Sequence, residues 1–105
     1  MPFGLTRKQM SSILDVLKVF PEVERSAIFG SRALGTFKKG SDVDLVLYGD
    51  IRDETVTAIS YRLNEEGILP YFFDVINYKT IDNPALKEHI DRVAVTFYSK
   101  GSHRS

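Results

Sequence analysis

The chain has 105 residues, 14 basic and 14 acidic side chains that cancel to zero formal charge, 43% hydrophobic residues and no cysteine. That is one domain's worth of chain, able to bury roughly two-thirds of its unfolded surface. The composition excludes disulfide staples, thiolate metal sites and a cysteine nucleophile; the two histidines are too few for a His-rich zinc site, and zero charge argues against direct nucleic-acid binding.

The opening Met1-Pro2-Phe3-Gly4-Leu5 lacks the basic segment and long apolar run of a secretory leader. No stretch approaches the roughly 18 apolar residues of a membrane span. The expectation is a cytoplasmic protein with no membrane association. From Thr6, a plausible N-cap, Met10, Ile13, Leu14, Leu17 and Phe20 recur at helical spacing, and Pro21 closes that helix. Residues 25–29 read as a short strand ending in Ala27-Ile28-Phe29. Gly30-Ser31 follows, then a helical turn, Arg32-Ala33-Leu34, stopped by Gly35. A basic loop, Phe37-Lys38-Lys39-Gly40-Ser41, leads to a strand over 42–48.

In that strand Val43, Leu45 and Leu47 share one face, while Asp42, Asp44, Val46 and Tyr48 share the other. Residues 53–66 read as a second long helix, with Asp53 as its cap, Val56, Ile59 and Leu63 as its stripe and Gly67 as its end. Residues 71–78 are rich in aromatic and β-branched side chains and read as a strand with Asp74 in its middle. Asn83-Pro84 opens a third helix lined by Leu86, Ile90 and Val93. Residues 94–98 are a last short strand or an extended exit, and 101–105 a frayed tail. The fold class is α/β: a small sheet of three to four strands flanked by helices.

Three features carry chemistry. Gly30-Ser31 stands between a strand end and a helical turn, where free N–H groups, a glycine that admits close approach and a hydroxyl suit a phosphate. Asp42 and Asp44 lie on one strand face, within reach of shared hard cations such as Mg²⁺ or Mn²⁺. Adjacent acids of this kind repel unless something neutralises them. Asp74, in so apolar a strand, is costly to bury alone and needs a partner. The partner is Arg25, Arg62 or Arg92, a backbone group, or a metal shared with Asp42 and Asp44. Arg32, Lys38 and Lys39 flank the phosphate position; the two lysines read as a solvated loop, and Arg32 is balanced between that and a phosphate contact. Ser41 either orients the loop or is a plain turn serine. His89 reads as a structural histidine.

Gly30-Ser31, ten residues, Asp42-x-Asp44 on a strand and a lone strand acid, Asp74, together resemble the polymerase beta-like nucleotidyltransferase superfamily. The small size is similar to its minimal nucleotidyltransferases, the MNT proteins, which pair with HEPN-domain proteins in toxin–antitoxin modules. The resemblance covers nearly the whole chain and implies one minimal nucleotidyltransferase domain over 1–105. It implies that Gly30 and Ser31 hold the β- and γ-phosphates of ATP, with Arg32 and Ser41 beside them as further nucleotide-binding residues. It implies that Asp42, Asp44 and Asp74 bind two Mg²⁺ ions and are the catalytic residues, Asp74 helping to activate the attacking hydroxyl. The reaction implied is transfer of AMP to a hydroxyl, a tyrosine's by analogy, of a HEPN-family partner held in a heteromeric complex. The chain would then be the antitoxin. A non-catalytic nucleotide-binding subunit that neutralises its partner by masking is the alternative. Transfer to a small molecule such as an aminoglycoside fits this length less well.

Overall fold

The computed structural model describes residues 2–67 and 69–101. After a 3-10 turn at Pro2–Gly4 come α1 (Arg7–Lys18), β1 (Arg25–Phe29), α2 (Gly30–Leu34), β2 (Val43–Tyr48), α3 (Asp53–Tyr61), β3 (Phe73–Asn77), α4 (Pro84–Val93) and β4 (Val95–Ser99). The expected order of elements holds, and the segment after α4 is a strand. Residues 102–105 of the expected tail lie outside the described residues.

Local chemistry explains most boundaries. Thr6 and Gln9 form a reciprocal capping box at α1, each side chain bonded to the other's backbone N–H. The Asn83 side chain accepts from the N–H groups of Ala85 and Leu86, with Pro84 at the first position of α4. Gly35 ends α2 in the left-handed conformation at φ 81°.

Two expectations are corrected here. Asp53 does not cap α3: the cap residue is Arg52, which offers no side-chain bond. Glu22, from the α1–β1 connection, accepts instead from the Arg52 N–H and the Thr55 hydroxyl. The expected helix over 53–66 is also not uniform. Its last part, Arg62–Glu66, widens into a π-turn. There Asn64 turns its amide to the start of β3, donating to the Phe73 carbonyl at 2.9 Å and accepting from the Phe73 N–H at 2.7 Å.

The sheet order is β3-β2-β1-β4. β1 is antiparallel to β2 and β4, and β2 is parallel to β3 through the α3 crossover. One face carries Ile28, Val43, Leu45, Leu47 and Phe73 against Ile13 and Leu17 of α1 and Ile59 of α3. The other face carries a smaller cluster, Ala27, Phe29 and Val46, closed by Ile90 of α4. Val46 is fully buried because α4 covers it.

Candidate functional site

The site forms where β1 gives way to α2 and β2 begins. Antiparallel pairing sets Phe29 opposite Asp44, and parallel pairing sets Asp44 beside Asp74. Asp42, Asp44 and Asp74 therefore gather at one end of the sheet, where β2 and β3 begin. Gly30 follows Phe29 with φ 72°. A Cβ built there would stand 2.3 Å from Asp44 Oδ2. Both facts require glycine, and the second comes from the acid packed against this backbone. Ser31 is half-buried beside it, and its hydroxyl makes no hydrogen bond among the described residues.

The electrostatics follow from that crowding. Burial of its carboxyl, then the charges of Asp74 and Asp42, hold the Asp44 pKa above the ordinary aspartate range. His89 and Arg32 pull weakly the other way. Among the described residues no ion pair reaches any of the three acids. The arginines that could have neutralised Asp74 are engaged elsewhere. Arg25 donates to Thr96 at 2.8 Å and lies over the Tyr48 ring. Arg62 pairs with Glu66 and Arg92 with Glu88. Asp74 is exposed, not buried as its apolar strand suggested, because β3 is an edge strand whose acid-bearing face is uncovered at that end. Among the described residues no backbone group bonds its carboxylate either.

Three carboxylates with no basic partner are a donor set suited to a hard divalent cation. Among the described residues no three acidic or imidazole side chains close into a finished metal cage. Mg²⁺ is commonly held by one or two carboxylates together with the phosphates of a substrate.

The structure gives Arg32 and Ser41 specific work. Arg32 is 3% exposed, and its guanidinium donates to the carbonyls of Phe3, Ser41 and Asp42. The Ser41 hydroxyl accepts from the Lys38 N–H at 2.8 Å, so it orients the loop. Lys38 and Lys39 are exposed. His89, read from the sequence as a structural histidine, lies beside the site. It comes from α4, lies edge-on to Phe29 at 6.2 Å between ring centroids and acts on Asp44 through space. Nothing in the spacing of α4 signals that contact, which needs the packing of α4 on β1.

Comparisons with known proteins bear on this geometry. The family model described as Polymerase beta, Nucleotidyltransferase matches residues 11–103. No curated protein matches the sequence. Among solved structures, the chain is similar to a toxin–antitoxin crystallised with AMP-PNP, at 16% identity over 85% of this chain and 72% of that one, with a TM-score of 0.70. It is similar to a chain of the tri-AMPylated Shewanella oneidensis HEPN toxin in complex with MNT antitoxin, at 11% identity over 86% and 71%, with a TM-score of 0.60. It is also similar to a putative nucleotidyltransferase from Sulfolobus solfataricus, at 18% identity over 94% of both chains, with a TM-score of 0.53. At these identities the likeness is one of fold, and the fold is the polymerase beta-like one expected from the acids and the Gly-Ser step.

Proposed function

We propose that this chain, which belongs to the polymerase beta nucleotidyltransferase family, transfers AMP from ATP to a hydroxyl of a HEPN-family partner and acts in the cytoplasm as the antitoxin of that pair. The observation that carries the reading is the cluster of Asp42, Asp44 and Asp74, in which Asp44 packs against Gly30 and, among the described residues, no ion pair reaches any of the three acids. Similar structures that hold AMP-PNP, or an AMPylated HEPN toxin beside its MNT antitoxin, support the choice of nucleotide and partner.

The residues divide the work. Gly30 lets Asp44 pack against the backbone at the start of α2, where N–H groups free of helical partners can meet phosphate oxygens. Ser31 adds a hydroxyl donor. Asp42, Asp44 and Asp74 would hold Mg²⁺, two ions in the full reading, which supplies charge neutralisation for the triphosphate and acidifies the acceptor hydroxyl. Asp74, exposed like Asp42, accepts the hydroxyl proton. The acceptor oxygen bonds to the α-phosphorus. The bond from that phosphorus to the oxygen bridging to the β-phosphate breaks, and pyrophosphate leaves with the electron pair.

Label transfer tests the reaction type. With the HEPN-family partner and Mg²⁺, label at the α-phosphate of ATP moves to the partner, while label at the γ-phosphate leaves as pyrophosphate. Label transferred from the γ-position instead would refute nucleotidyl transfer.

A further inference from the structure

Arg32 is a buried charge without a carboxylate. It is 3% exposed, and no ion pair among the described residues includes it. Its Nε donates to the carbonyls of Ser41 and Asp42 at 3.1 and 3.3 Å. One terminal nitrogen donates to Ser41 at 2.7 Å and the other to Phe3 at 2.8 Å. The guanidinium lies over the Tyr71 ring at 4.6 Å and the Phe37 ring at 5.2 Å. Phe3 meets it in a backbone conformation rare for a side-chain-bearing residue, φ 60°. Burying a charge that only carbonyls and rings compensate is unfavourable, and a residue needed only for packing could be apolar. What the charge does is hold two consecutive carbonyls at the entrance of β2, the backbone that carries Asp42 and leads to Asp44.

We infer that Arg32 is a positioning residue, which fixes the Ser41–Asp42 backbone and thereby the aim of the metal-binding carboxylates, and which couples that aim to the N-terminal turn through Phe3. The inference rests on the reading of these acids as a divalent-cation site. A planar fork is required, because it reaches three carbonyls in different directions. A lysine keeps the charge and loses the fork. The turn Pro2–Gly4, remote in sequence from the acids, is thereby part of the support of the site.

The probe is Mn²⁺·AMP-PNP, bound to the full chain and read by the relaxation enhancement of water protons. The proteins are wild type, Arg32→Lys, a variant lacking Pro2–Gly4, and Asp42→Asn as control, each first checked for folding by circular dichroism and melting. Wild type binds and Asp42→Asn does not. Folded Arg32→Lys binds about tenfold more weakly, as is usual when support behind a metal ligand is removed. The turn deletion weakens binding in the same direction. A merely structural role lowers the melting temperature and leaves the affinity of the folded protein unchanged. Equal affinity in wild type and both variants therefore overturns the inference alone. If Arg32→Lys does not fold, the turn deletion decides by the same criterion. A wild-type chain that shows no enhancement overturns the cation reading, and the positioning role with it.

Discussion

Asp44 and Asp74 occupy paired positions on parallel neighbouring strands, so two like charges lie side by side, with a third, Asp42, near the first. Like charges placed beside each other across strands destabilise a sheet. The Asp44 pKa is raised by burial and by its two neighbours. A folded-state pKa above the unfolded value means that the native state binds the proton more readily. This group's contribution to stability is therefore greatest at low pH and is lost as pH rises through the raised value. Asp44→Asn should raise the melting temperature at neutral pH by a few degrees while abolishing AMP transfer. The gain should shrink as pH falls through the Asp44 titration. Melting curves over a pH series check the first part and the label assay the second.

Gly30→Ala places a methyl group 2.3 Å from Asp44 Oδ2 at a positive φ. The backbone conformation alone costs about 1–2 kcal/mol for a side-chain-bearing residue, and the clash displaces the carboxylate. Transfer should fall by about 100-fold or more, since displacements near 1 Å have effects of that order. Denaturant unfolding and single-turnover transfer rates measure the two effects separately.

How much of this was legible in the chain depended on how local the cause was. The strand at Arg25–Phe29, the caps Thr6 and Asn83 and the stop at Gly35 rest on neighbours within a few residues, and all are seen in the structure. The closeness of Asp42 and Asp44 was legible because they are two residues apart, although β2 itself begins at Val43. The support of the site was not. Glu22 replaces Asp53 at α3 across 30 residues of sequence, as its bond to Arg52 shows. Arg32 donates to the Phe3 carbonyl, 29 residues away, as well as to those of Ser41 and Asp42, which no local pattern states. Asp74 is exposed because β3 lies at the sheet edge, which no strand pattern states.

Glu22 gives a pH dependence of the opposite sign. The Thr55 hydroxyl, the Arg52 N–H and the Arg52 side chain lower its pKa. A depressed carboxylate contributes stability above its unfolded pKa and loses it as pH falls through the folded value. Glu22→Gln should lower the melting temperature at neutral pH, and the gap to wild type should close on acidification. A gap that is independent of pH would mean that the charge on Glu22 is not what matters at the start of α3.

Asn64 pairs with both backbone groups of Phe73, the residue before Asp74. Asn64→Ala leaves an N–H and a carbonyl without that partner, a loss of about 1–3 kcal/mol. Hydrogen exchange at the start of β3 should quicken more than exchange in β1, which Asn64 does not touch. Transfer should weaken with it, because Asp74 loses its anchor.

The intact mass of the HEPN-family partner, recorded after incubation with this chain, ATP and Mg²⁺, tests the central claim most directly. The account predicts that the partner gains the mass of one or more AMP units with wild type and none with Asp42→Asn/Asp44→Asn. A partner of unchanged mass that still co-elutes with wild type would contradict it, and neutralisation would then rest on the complex alone.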